Sequence, residues 1–77
     1  MMQKKLLVLA AGILQVPVIK KAKEMGLYVI AADGDPNAVG LKYADKAVVV
    51  NITSEEDVLK VAREEQIDGV IHPCSEV

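Results

Sequence analysis

The chain has 77 residues, a formal net charge of −2 and a hydrophobic fraction of 52%. A domain this short buries only about 60% of the surface its unfolded chain exposes, so it is marginally stable without a partner. Lys and Arg are spread along the chain, which excludes the basic footprint of a nucleic-acid binder, and no apolar run approaches the roughly 18 residues needed to span a bilayer.

Trp and Phe are absent, leaving a core of Val, Ile, Leu and Ala that suits a parallel sheet flanked by helices. The single Cys74 has no internal disulfide partner, which fits a reducing, cytoplasmic setting. Met1–Ala11 places two lysines before an apolar run, superficially like a secretion signal, but that run is short and the helix after it is charged.

In chain order, Lys5–Ala10 is an uninterrupted apolar run of the kind buried on both faces of a sheet. A turn on Gly12 follows it. Pro17 lacks an N–H donor and fits the first turn of a helix, which sets the helix start near Leu14–Val16. Val18, Ile19, Ala22 and Met25 then form an apolar stripe, with Lys20, Lys21, Lys23 and Glu24 facing water and Gly26 as the left-handed stop. Tyr28–Ala32 reads as the second strand. Gly34, Pro36 and Asn37 break the chain, and Ala38–Ala44 has room for a turn or two of helix. Lys46–Val50 is the third strand. Thr53 with Glu56 three residues later reads as a capping box for a second long helix, whose buried face is Val58, Leu59 and Ala62 with Val61 at the edge. Ile67 packs after that helix, and Gly69–His72 is the fourth strand, stopped by Pro73.

Right-handed crossovers order these strands 3-2-1-4, with one long helix on each face: an α/β, Rossmann-like open parallel sheet. The gap between strands one and four is the switch point where such sheets bind ligands. Three segments converge there: Ala11–Gln15, Asp33–Asn37 and Pro73–Val77.

The chemistry of those segments is selective. A dinucleotide fingerprint centred on Gly12 wants Gly at positions 10 and 15, where this chain has Ala10 and Gln15. Asp33 stands about where a ribose-binding acid would be, so it has two readings: a ligand contact, or part of an Asx/Pro turn with Asp35-Pro36-Asn37. The alternation Asp33, Asp35, Asn37 resembles the start of a calcium loop, but Ala38 and Ala44 occupy the positions that need Gly and Glu. His72, Cys74 and Glu76 alternate on one short segment, a poor tetrahedral cage, and Cys74 lacks an oriented base. No catalytic residue or metal ligand is assigned. Ser75 and Glu76 instead present a hydroxyl and a carboxylate at the crevice mouth.

Taken together, LVLAAGILQVPVIKKAKEMGLYVIAADGDPNAVGLKYADKAVVV, the capped helix and DGVIHPCSEV resemble the N-terminal (pre-ATP-grasp) domain of ATP-grasp ligases over essentially all 77 residues. The specific parts are the turn after strand one, the D-x-D-P-x-A segment with Tyr43-Ala44-Asp45 beyond it, and the D-G-V-I run. The likeness is to carbamoyl-phosphate-synthase-large-subunit-like proteins and to the ATP-grasp enzymes of purine synthesis.

The resemblance implies a family that joins a carboxylate to an amine through an acyl-phosphate made with ATP and magnesium, both held by later subdomains. It implies that this domain supplies one wall of the site for a small-molecule acceptor, with Gly12, Ile13, Leu14 and Glu76 facing it, beside Asp33 and Ser75. The purine enzymes carry Glu or Gln at the place of Ile13 to read a sugar, and Ile13 lacks that capacity. The expected chain is therefore a piece of a longer ligase, residues 1–77 forming most of its first domain, with no cofactor of its own and inactive alone. The alternative is a small Rossmann-like nucleotide-binding or regulatory module. Open edges at strands three and four further lead us to expect a homodimer.

Overall fold

A computed structural model describes residues 3–71 of the chain. The elements run β1 (Lys5–Leu9), a 3-10 turn (Ile13–Gln15), α1 (Val16–Glu24), β2 (Tyr28–Asp33), a second 3-10 turn (Val39–Tyr43), β3 (Lys46–Val49), α2 (Glu55–Glu65) and β4 (Gly69–Ile71). All pairings are parallel and the strand order is β3-β2-β1-β4, as right-handed crossovers require.

Period-two alternation along β1 and β2 divides the core between the two faces. Val8, Val29 and Ala31 lie on one side with Ile19 and Ala22 of α1 and with Leu41 of the second 3-10 turn. Leu7, Leu9, Ile30 and Ala32 lie on the other, against Val61 of α2. Leu7, Val8, Val29 and Ile30 are wholly inaccessible to solvent, and each such side chain contributes about 1.5–3 kcal/mol of burial. The two central strands are thus covered on both faces, which is why their sequences show no polar alternation.

The strand beginnings are tied by aspartates. Asp68 donates its amide to the Lys5 carbonyl and accepts the Lys5 amide on Oδ2, both at 2.8 Å. Asp45 does the same with Val29, at 2.9 and 2.8 Å. Each carboxylate stands in for the next carbonyl of a ladder, so β1–β4 and β2–β3 are extended by one residue. Lys46 pairs with Glu65 of α2, and this hydrogen bond raises the ammonium pKa above its ordinary value. Its contribution is therefore fully present at neutral pH and is lost only as pH rises through that raised value.

Several local expectations are corrected. The first strand ends at Leu9, because Ala10 turns to φ 77°. The left-handed residue of this turn is Ala10; Gly12 has φ −70° and ψ 179°, open to any residue. Helix α2 is capped by Ser54, whose hydroxyl accepts the Asp57 amide, and not by Thr53 with Glu56. Thr53 is already engaged: its amide and its hydroxyl both donate to Asn51 Oδ1. With the helix placed this way, Val61 is its buried residue and Val58 and Ala62 are half-buried. Leu59 is 50% exposed, contrary to the buried role expected for it. Met25, which follows the last residue of α1, is 67% exposed, contrary to its expected place in the buried stripe. With Leu6, Pro17, Val18, Leu27 and Ile71 it lines an apolar groove beside β4. No helix among the described residues is long and apolar enough to cross a membrane.

Both helices end on a left-handed residue. At α1, Gly26 (φ 85°) donates to Lys23 O and Leu27 donates to Ala22 O, a Schellman close. At α2 the same pair of bonds runs from Gln66 and Ile67 to Arg63 and Ala62, but the left-handed residue is Gln66 at φ 55°. Gln66→Gly should therefore stabilise the fold by about 0.5–1 kcal/mol, the relief of Cβ strain less the added chain entropy of glycine. Urea denaturation checks this as a higher midpoint at unchanged slope.

Candidate functional site

The loop after β1 is built by three backbone hydrogen bonds on two consecutive residues. Ala10 donates to the Ala32 carbonyl at 2.8 Å. The Ala11 amide donates to Asp33 Oδ2 at 2.8 Å, and the Ala11 carbonyl accepts the Gly40 amide at 2.7 Å. These bonds hold Ala10 in a left-handed conformation that a residue with a Cβ adopts at a cost of about 1–3 kcal/mol. Ala10 thus tolerates the tight turn that a dinucleotide fingerprint assigns to glycine.

Asp33 closes the end of β2. Its Oδ2 holds Ala11 and its Oδ1 accepts the Asp35 amide at 2.9 Å. Asp35 Oδ1 in turn accepts the Asn37 amide at 2.9 Å, and Ala38 donates to Asp35 O at 3.0 Å. The segment Asp33–Asn37 is therefore the Asx turn that its composition suggests. Both oxygens of Asp33 are committed to backbone amides, one from each crevice loop.

Beyond the clamp, the chain presents Gly12, Ile13 and Leu14. Ile13 and Leu14 are 66% and 79% exposed, two large apolar side chains on the outer side of the loop. Gln15 turns inward and is 3% exposed, and a Cβ on Gly12 would lie 3.4 Å from its Oε1. At the place where a dinucleotide fingerprint wants glycine, the chain puts a buried amide under the loop. Ser75 and Glu76, with His72 and Cys74, lie outside the described residues. Of the six residues expected to face a substrate, the structure brings together Gly12, Ile13, Leu14 and Asp33 at the carboxyl ends of β1 and β2.

Two residues of this arrangement escape a sequence reading. Gly40 lies 29 positions after Ala11 by the chain numbering, and a Cβ there would meet Ala11 O at 2.7 Å and Ile19 Cδ1 at 3.1 Å. Gln15 is a polar residue at the start of a helix, with nothing local to mark it as buried. A glycine inside Ala38–Ala44 is the only local signal for the first.

No protein-family model matches the chain. It is 33% identical over 69 residues to the formate-dependent phosphoribosylglycinamide formyltransferase of Prochlorococcus marinus (strain MIT 9515), an alignment that takes in 90% of this chain and 18% of the relative. The enzyme of the same description from Methanocella arvoryzae is 33% identical over 67 residues, 87% of this chain and 16% of its own. Among solved structures, phosphoribosylglycinamide synthetase from Anaerococcus prevotii superposes with a TM-score of 0.84 at 33% identity, over 95% of this chain and 19% of its own. Glycinamide-RNase-transformylase T from Mycobacterium tuberculosis gives 0.84 at 28% identity, over 90% of this chain and 20% of its own. The shared fold is the α/β, Rossmann-like sheet of four parallel strands ordered 3-2-1-4. N5-carboxyaminoimidazole ribonucleotide synthetase from Thermotoga maritima shares the fold, with a TM-score of 0.81 at 23% identity. The chain spans about one fifth of the length of the relatives it matches.

The tight approach at Gly40 yields a stability prediction. Gly40→Ala drives a methyl into backbone and should cost about 1–3 kcal/mol, the range for overpacking a closed site. Thermal unfolding of the variant beside wild type measures it. The same change at Gly12, where the nearest atom is the end of a side chain, should cost less.

Proposed function

We propose that this chain is the N-terminal domain of an ATP-dependent carboxylate–amine ligase of the ATP-grasp type and forms one wall of its acceptor site. The observation that carries the proposal is the join of fold and place. The relatives it resembles at 33% identity are ligases and transformylases, and the clamped loop Ala11–Leu14 stands at the switch point of the sheet, between β1 with β2 on one side and β4 on the other.

In this reading the wall binds and orients. Gly12 lets the acceptor approach the backbone, Ile13 and Leu14 cover its apolar parts, and Ser75 and Glu76 supply a hydroxyl and a carboxylate for an amine or hydroxyl group. ATP and magnesium belong to the remainder of the ligase. Among the described residues there is no group of three His, Cys, Asp or Glu able to hold a metal ion, and the crevice carboxylate Asp33 is engaged by backbone. We therefore derive no phosphoryl-transfer step through this domain.

The relatives are named for phosphoribosylglycinamide, and a phosphoribosylated amine is one acceptor class. Ile13 favours another. An exposed aliphatic side chain in the middle of the loop offers no hydrogen bond to a ribose, which suits an amino acid or other small acceptor and an affiliation with the carbamoyl-phosphate-synthase-like branch. A protein carrying this domain should release ADP from magnesium-ATP only when an acceptor is present, whereas the 77-residue chain alone should release none. Coupled ADP detection across phosphoribosylglycinamide and free amino acids tests the reading; acceptor-independent turnover by the isolated chain overturns it.

In the intact ligase, Glu76→Ala should lower acceptor affinity by about 1.5–3 kcal/mol through loss of a charge-assisted hydrogen bond, with the ATP KM unchanged. Steady-state kinetics at varied acceptor and varied ATP separate the two. For the alternative of a dinucleotide module, calorimetry should show NAD binding no tighter than millimolar, about 4 kcal/mol, because Gln15 occupies the space under the loop.

A further inference from the structure

We infer that Asp33 and Gly40 are positioning residues that clamp one residue, Ala11, by its amide N–H and its carbonyl, and so set the geometry with which Gly12–Leu14 meet the acceptor. The inference rests on the ligase reading for what the loop meets. The clamp itself is a matter of distances. Asp33 Oδ2 takes the Ala11 N–H at 2.8 Å, and the Gly40 N–H reaches the Ala11 carbonyl at 2.7 Å. The two clamping groups come from different elements, the end of β2 and the second 3-10 turn. Asp33 also holds the Asp35 amide at 2.9 Å, so the loop after β1 and the loop after β2 are fastened to one carboxylate.

Gly40 makes this more than a description of a turn. It is buried and has no side chain with which to touch an acceptor, and its fit is so close that a Cβ would stand 2.7 Å from the Ala11 oxygen. Any influence it has on acceptor binding must pass through its neighbours, the Ala11 carbonyl first and Ile19 beside it. Asp33 by itself is open to two explanations, direct contact or positioning, and Gly40 supplies the comparison that separates them. The residues just beyond the clamp, Ile13 and Leu14, expose most of their surface, so neighbouring side chains do little to hold them. Their placement depends on the backbone upstream.

The test uses the full-length ligase with magnesium-ATP and two acceptor probes, phosphoribosylglycinamide and the free amino acids, alongside hydrogen exchange resolved at the Ala11 and Ile30 amides. Asp33→Asn should raise the acceptor KM by about tenfold or more, the scale of one charge-assisted hydrogen bond; Gly40→Ala, which displaces the Ala11 carbonyl, should raise it severalfold, and both should leave the ATP KM within about twofold. In both variants the Ala11 amide should exchange about tenfold faster or more, while Ile30 in the central strand is unmoved. Should Gly40→Ala fail to fold, Asp33→Asn, which keeps shape and one carbonyl oxygen, decides by the exchange readout. A raised acceptor KM in Asp33→Asn with unchanged Ala11 exchange would mean that Asp33 touches the acceptor directly, which overturns positioning. So would faster Ala11 exchange in Gly40→Ala at wild-type acceptor KM. If the wild-type protein consumes no ATP with any acceptor, the ligase reading fails and the acceptor role falls with it, a result distinguishable because the exchange arm still reports the clamp.

Discussion

Two-sided burial of β1 and β2 is the constraint on which the molecule depends. Leu7 and Val8 are neighbours on one strand and face opposite layers, and neither has any accessible surface. A strand so placed must be all apolar, must have a helix on each side, and must lie at the middle of the sheet. Once β1 and β2 are central, the crossovers send β3 to one edge and β4 to the other. The gap in connectivity between β1 and β4 follows, and with it the position of the loop Ala11–Leu14. Site and core are thus consequences of the same arrangement.

Carboxylates make the connections at both ends of the sheet. At the amino ends of the strands, Asp45 and Asp68 each exchange a pair of hydrogen bonds with a neighbouring backbone residue and prolong the ladder. At the carboxyl ends, Asp33 accepts two amides from two different loops. The geometry differs because the tasks differ. A prolonged ladder fixes register, whereas a shared carboxylate fixes one loop against another. Precise loops suit a surface that must present atoms to a ligand, since looseness of about an ångström there removes most of the benefit of preorganisation.

The likeness to phosphoribosylglycinamide enzymes covers nearly all of this chain and about one fifth of theirs. On the proposed reading, such a share supplies one wall of a site. The residues of that wall that the structure describes are glycine, aliphatic side chains and an aspartate engaged by backbone. Ile13 is the point at which the wall takes on its own character, because its exposed side chain offers shape and no hydrogen bond.

Periodicity and punctuation carried most of the architecture. The apolar runs, Pro17 and Gly26 place the elements through local rules: a missing donor, a left-handed stop, alternation replaced by uniform apolarity on buried strands. Strand order is legible too, because handedness leaves few layouts. Local rules failed where a second part of the chain competes. Asn51 engages Thr53 and moves the cap to Ser54. The facing of α2, with Val61 inward and Leu59 outward, depends on that start and on where the sheet lies, and the position of the sheet is not local. The loop shows the difference most clearly. Its composition marks a turn near Gly12, but the strained residue is Ala10, held by Ala32, Asp33 and Gly40 from later elements. The sequence by itself determined which segments are strands and which are helices, and the order of the strands. Only the tertiary structure decided which residue is clamped and by what, because those hydrogen bonds join residues more than twenty positions apart that no spacing rule connects.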